Sequence, residues 1–386
     1  MKKTLEFRNI FLRFKGLFSI GFSDVIGGGI SSLFWLYVAT LLEVEKYGEI
    51  FYLLSIINII VTISLIGSKN TLSVYVSKNI KLDSALFFIS IIFGSIASLI
   101  VLLIYYDLGL SLYVIGAVIF GLATSEILGK KLYVIYARYM IAHKILSAGL
   151  SIGLYYWIGA DGIILGMALS LFAYITIIIK TFKTTKINFS LLRSRFRFLM
   201  NSYATDIIGT LGKQADKLVI APLLGFTLLG NYQLGIQFIS VFQLLPMVVL
   251  KYTLPHDATG NPNKNLKITT VLISICFTVL IIVIAPTIIE IFFKKFVYVV
   301  EVIQILSLSL VPVSICSIYI SKFLGNEQAK IILIYTILYI SSFLLFVLII
   351  GNTLGVVGIA IAYVMTVTVT AIFFILVDLR NKISKT

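Results

Sequence analysis

One segment, Leu199 to Gly225 (LMNSYATDIIGTLGKQADKLVIAPLLG), gathers charged side chains inside an otherwise apolar run. Steps of seven and four place Asp206, Lys213 and Lys217 on one stripe of a helix, with Asp216 on its flank. At membrane depth each such charge costs roughly 2.5–3.5 kcal/mol on insertion scales, so the stripe must face protein or a water-filled cavity. Two ammonium groups one turn apart, about 6 Å along the axis, repel each other. Asp216 can neutralise one of them. The other is then open to a phosphate or another anion, with Asp206 tuning it. The alternative reading of the same four charges is a salt-bridge network tying this helix to a neighbour.

Other polar groups extend both readings. Asp24, followed by Gly27-Gly28-Gly29, is a candidate proton or sodium site together with Asp206, or a partner for hydroxyls such as Ser23. Gln233 and Gln237, one turn apart with Ser240 near the same face, can line a sugar-binding cavity or bond between helices. Glu126, Arg138, His143 and Lys144 gather near Tyr133, Tyr136 and Tyr139, a pattern that headgroup anchoring explains. The sharper alternative makes Arg138 and Lys144 a cytoplasmic gate that captures an anionic headgroup.

Several chemistries have no residues to carry them. The two histidines, His143 and His256, and the two cysteines, Cys276 and Cys316, provide neither a metal site nor a disulfide framework. P-loop, HExxH and Gly-x-Ser-x-Gly patterns are absent, so the expectation is a non-enzyme with no cofactor and no ATPase of its own. Asn188-Phe189-Ser190 matches a glycosylation acceptor, but it falls in an expected cytoplasmic loop.

The elements that must hold these residues follow from composition. Of 386 residues, 60% are apolar and 12% charged, with a mean hydropathy of +1.08. That is far more apolar surface than a core of this size can hide. The fold class expected is an all-α polytopic membrane protein. Twelve stretches reach span length: 17–42, 49–67, 83–106, 108–128, 141–159, 161–180, 198–224, 226–250, 267–292, 297–321, 331–350 and 353–377. With the N-terminus cytoplasmic, all 31 basic residues but five fall in inner segments; Lys46, Lys294 and Lys295 lie outside, and Lys213 and Lys217 within a span. This asymmetry predicts both termini inside a cell membrane and accounts for the net charge of +15 without nucleic acid. Residues 1–16 carry Phe7, Ile10, Phe11 and Phe14 at helical spacing and read as an interfacial amphipathic helix.

The chain also echoes itself. SDVIGG (23–28) reappears as TDIIGT (205–210), an offset of 182 residues that pairs Gly48 with Gly230. GIILGMA (162–168) reappears as GVVGIA (355–360), and the polar insertion 256–265 absorbs the change in spacing. Six spans per repeat keeps the halves parallel. Two lobes are expected, 1–185 and 186–386. All six prolines sit in the second, which suits a lobe that bends.

The stretch KQADKLVIAPLLGFTLLGNYQLGIQF (213–238) resembles the seventh-span signature of Wzx-type polysaccharide flippases: an Asp-basic pair, an apolar run, then Gly-x-Tyr. SDVIGGGISSLFWLYVATLL (23–42) and YGEIFYLLSI (47–56) are similar to their first two spans. These proteins share an exporter superfamily with multidrug/toxin extruders and peptidoglycan-precursor flippases. The resemblance implies a V-shaped pair of six-helix bundles around a cationic cavity. It implies export of a polyprenyl-pyrophosphate-linked oligosaccharide by alternating access during surface polysaccharide (O-antigen) synthesis. Partners would be the lipid-linked substrate, membrane lipids, a polysaccharide polymerase and glycosyltransferases. Asp216 and Lys217 would be the Asp-basic pair, and Lys213 a cavity cation one turn away. The competing expectation is an ion-coupled multidrug extruder, which calls for an acidic cavity.

Overall fold

The computed structural model describes residues 2–185, 187–258, 263–296, 299–326 and 328–383. The side chains of 2–18 and of His256 lie outside the described set, as do residues 259–262 of the polar insertion. The helices run in order as α1 (Lys2–Leu41), α2 (Val44–Leu65), α3 (Ser68–Ser77), α4 (Asp83–Tyr105), α5 (Leu108–Gly129), α6 (Tyr133–Ile158), α7 (Asp161–Leu171) and α8 (Ile175–Thr184). They continue as α9 (Phe189–Arg193), α10 (Phe196–Leu224), α11 (Phe226–Ala258), α12 (Lys264–Phe292), α13 (Val299–Ser307), α14 (Leu310–Gly325), α15 (Ala329–Phe346) and α16 (Asn352–Ile383). Strands are absent among the described residues.

Local chemistry sets several of these ends. Asp107, Asn188 and Asn263 each accept a hydrogen bond from the backbone N–H three residues on, capping α5, α9 and α12. Between α2 and α3 the chain turns through left-handed Ile66 and Gly67, at φ 47° and 69°. The segment after the second span, expected as a loop, therefore continues as a helix. Residues 2–16 of the amphipathic segment likewise run into the first span without a break, within the single helix α1.

Among the described residues, eight helices are long and apolar enough to cross a membrane, or nine if the bent pair α13–α14 counts as one span. The last of the eight is a 52-residue run, Lys330–Asn381, interrupted at Gly355 with φ 59°. Two further helices have the length but not the apolarity: α6 and α10, of 26 and 29 residues. Both are charged at the positions singled out above. Rows of exposed Phe93, Ile96, Leu99 and Leu103 on α4, and of Leu272, Ile275, Val279 and Val283 on α12, form faces suited to lipid.

The chain divides into two compact units, Met1–Ser31 with Leu53–Lys213, and Ser32–Tyr52 with Gln214–Thr386. Lipid is as apolar as a leucine face, so close backbone approach and interhelical hydrogen bonds hold membrane helices together. In the first unit, hydroxyl pairs supply the bonds: Ser68 with Ser90 at 2.8 Å and Ser98 with Ser111 at 2.9 Å. In the second unit, Ser274 bonds to Ser314 at 2.6 Å, and Thr278 donates to the Ser307 carbonyl at 2.9 Å. There α2 and α11 meet backbone to backbone. A Cβ on Gly48 would lie 2.0 Å from the Phe226 carbonyl oxygen, and one on Gly230 2.1 Å from that of Val44. These two glycines are the pair matched by the 182-residue offset.

Candidate functional site

The charged stripe of α10 finds different partners along its length. In the first unit, Asn70 on α3 donates to Asp206 Oδ1 at 2.8 Å. Lys69, the residue before it, lies within electrostatic reach of both Asp206 and Lys213. The stem of Lys69 runs over α5 where Gly121 leaves room, since a Cβ there would come within 2.7 Å of its Cε. Lys69 and Lys213 both have exposed surface, while Asp206 is half-buried. The helices around Lys69 nevertheless exclude much of its hydration. Burial lowers its pKa from the usual lysine value, Asp206 opposes that shift, and Lys213 adds to it. The cluster holds two ammonium groups and one carboxylate, and one carboxylate oxygen is already engaged by Asn70. It carries a net positive charge and can attract an anion.

In the second unit, Lys217 donates to both oxygens of Asp216, at 2.9 and 3.1 Å. The two side chains are only 15% and 16% exposed. The acid expected to neutralise one lysine is thus paired with Lys217. The carboxylate of Asp216 is also within electrostatic reach of Tyr232, Tyr339 and Tyr363, from three different helices. Gln243 donates toward the Tyr363 hydroxyl at 3.5 Å.

The remaining candidates are dispersed. Gln233 is 1% exposed, and neither its Nε2 nor its Oε1 has a partner. It lies packed among helices and is closed to a substrate in this conformation. Gln237 is half-buried, and the Ser240 hydroxyl one turn on bonds to Ser32 at 2.9 Å. Asp24 is half-buried on α1 and is close enough to help raise the Tyr136 pKa to about 12, burial being the larger cause. Lys144 lies against α1, its Cγ 3.4 Å from where a Cβ on Gly27 would stand. Arg138 is exposed six residues earlier on α6, which turns it to another face of the helix. The grouping near Glu126 separates as well: Glu126 pairs with Lys130 and accepts from Thr181 at 2.7 Å, whereas His143 packs on Phe120 and near Ser170. Among the described residues no His, Cys, Asp and Glu side chains cluster as a metal site.

Sequence reasoning missed Lys69, Asn70 and the tyrosines. Lys69 follows the second span and counts there as one more inner loop cation; only the continuation of the chain as α3 brings it beside α10. Tyr339 and Tyr363 lie more than a hundred residues from Asp216 and carry no spacing signal.

No protein-family model matches the chain, and no curated protein matches it significantly in sequence. Its structure is similar to that of an inward-facing multidrug resistance MATE family transporter of the MOP superfamily, with a TM-score of 0.72 at 14% identity over 96% of this chain and 99% of that one. It is also similar to the lipid II flippase MurJ in an inward closed conformation, with a TM-score of 0.63 at 15% identity over 97% and 87%. A third similar structure is a MOP superfamily transporter from Pyrococcus furiosus described as having a binding pocket of reverse polarity, with a TM-score of 0.60 at 15% identity over 96% of each chain. At such identities the likeness carries the fold: the chain has the all-helical architecture of these transporters.

Proposed function

We propose that this protein is a flippase, moving a polyprenyl-(pyro)phosphate-linked oligosaccharide from the cytoplasmic to the outer leaflet of the cell membrane by alternating access. One observation carries the reading. Lys69 and Lys213 surround a single carboxylate, Asp206, that is already hydrogen-bonded by Asn70. A cluster with surplus positive charge suits a phosphorylated lipid and repels the cationic compounds a drug extruder must accept. Lys217, Asp216 and Gln237 of the second unit, read from the sequence as headgroup-binding residues, are proposed to serve the same substrate. Glycosyltransferases would supply the substrate and a polymerase would consume it.

A second reading, ion-coupled multidrug extrusion, draws support from Asp216. An acid close to three tyrosines is an arrangement that suits an organic cation. The two readings separate in reconstituted vesicles. Lys69→Gln with Lys213→Gln should slow flipping of a fluorescent polyprenyl-pyrophosphate glycan about tenfold or more, the effect of losing about 1.4 kcal/mol of binding. Transport of a cationic dye driven by an imposed ion gradient should be negligible in the unaltered protein. Dye transport that survives the double substitution, with no glycan flipping in either protein, would favour the extruder.

A further inference from the structure

Apart from the α10 cluster, the first unit contains a groove of about 600 Å³ at one end of its bundle. Asn79, Lys81, Asp83, Lys130, Lys131 and Thr184 contribute to its lining. Two tight turns display its cations. Asn79 and Lys131 are left-handed, both at φ 57°, and each turn is tied back to the helix before it. The Ile80 N–H donates to Tyr75 O at 2.9 Å, and the Leu132 N–H to Ile127 O at 3.1 Å. Lys130 is committed to Glu126. Lys81 and Lys131 are exposed and form no ion pair among the described residues. The groove also holds an acceptor without a donor: Asp83 is 7% exposed, and its Oδ1 has no hydrogen-bond partner. A buried carboxylate oxygen left in this way is costly unless a donor reaches it.

Depth supplies the remaining constraint. Three membrane-spanning helical segments end here, one beginning at Asp83 and the others finishing at Gly129 and Thr184. The groove therefore opens where phosphate headgroups lie.

We infer that this groove binds a phosphate ester carrying a neighbouring hydroxyl or ammonium donor, with Lys81 and Lys131 on the phosphate and Asp83 Oδ1 accepting from the donor. Such a group is presented by a glycerol- or ethanolamine-bearing phospholipid of the adjacent leaflet and by soluble glycerol phosphate. A choline headgroup has the phosphate but no donor. The site is independent of the proposed transport path.

The test uses purified full-length protein in detergent, with short-chain phosphatidylglycerol, phosphatidylethanolamine and phosphatidylcholine, and with glycerol phosphate. Binding is read by native mass spectrometry and by the shift in melting temperature. Phosphatidylglycerol should bind about tenfold more tightly than phosphatidylcholine, and Lys81→Gln with Lys131→Gln should weaken binding of both lipids about tenfold. Both lysines are exposed, so the unliganded melting temperature should stay unchanged and report intact folding. Asp83→Ala should lose the preference while retaining weaker phosphate binding. Competition by glycerol phosphate at equal affinity would support a soluble ligand; competition by lipid alone would support the leaflet. Equal binding of phosphatidylglycerol and phosphatidylcholine by the unaltered protein, or binding undiminished by the double substitution, would overturn the inference.

Discussion

Removing the Asp216 carboxylate while keeping its shape leaves the Lys217 ammonium largely buried with no counter-ion. Asp216→Asn should therefore destabilise the second unit by about 3 kcal/mol, as breaking a buried pair from one side generally does. Replacing both partners by apolar residues of similar size, Asp216→Leu with Lys217→Met, should return stability to within about 1 kcal/mol of the unaltered protein. Thermal unfolding in detergent checks both outcomes. The flipping assay then separates structure from function: a stable double variant that no longer flips assigns the pair to transport, and one that flips normally makes it a brace. At this scale the sequence revealed which residues were unusual and much less of what they touch. Asp206, Lys213, Asp216 and Lys217 stand out because charge inside an apolar run is expensive. Lys69 does not, because a lysine just beyond a span has an ordinary explanation. Helical spacing left Gln233 open to lining a cavity or bonding between helices, because spacing cannot tell a water-lined face from one pressed against a neighbouring helix.

Helix packing gives the sharpest contrast between substitutions that look alike. Gly48→Ala and Gly230→Ala would each place a methyl group about 2 Å from a backbone carbonyl oxygen, and backbone cannot rotate away as a side-chain end can. Either change should force α2 and α11 apart and lower the melting temperature steeply or abolish folding. Gly149→Ala and Gly153→Ala on α6 meet nothing within 4 Å. There the better helix propensity of alanine, worth up to about 1 kcal/mol, should raise the melting temperature or leave it unchanged. The first outcome could be anticipated in part: the repeat offset matched Gly48 with Gly230, although their mutual contact lay beyond what an offset can say. The second echo is similar, since Gly166 packs on Ser151 of the preceding helix α6 and Gly358 on Ile350, in the short helical segment 347–351 just before α16. Boundaries were legible where the apolar run itself begins the helix, as at Leu108. They were obscured where helices continue past the apolar run, as α6 does by starting at Tyr133 rather than near 141. Hydropathy registers what lipid tolerates, and a helix extending into headgroups or water leaves no trace in it.

On the scale of the whole molecule, the distribution of basic residues makes a claim about sidedness, and ion pairs within the second unit gather its ends in a consistent pattern. In the second unit Lys295 pairs with Glu43 at 2.8 Å, which puts the α1–α2 turn and the segment after α12 at one end. Both had been expected on the outer face, where Lys46, Lys294 and Lys295 are the basic residues. Elsewhere in that unit, Lys267 pairs with Asp257 at 2.7 Å, Ser321 donates to the same carboxylate, and Lys322 pairs with Asp378. These contacts gather the ends of α11, α14 and α16 with the start of α12, segments all expected to be cytoplasmic. Which end is cytoplasmic is a prediction of the positive-inside rule. In a background with Cys276→Ser and Cys316→Ser, single cysteines at Lys46, Lys130 and Lys264 would be treated with a membrane-impermeant maleimide on intact cells. Lys46→Cys should label at once, and Lys130→Cys and Lys264→Cys only after permeabilisation. Labelling of all three on intact cells, or the reverse order, would contradict the positive-inside assignment and with it the direction of transport proposed for the α10 cations.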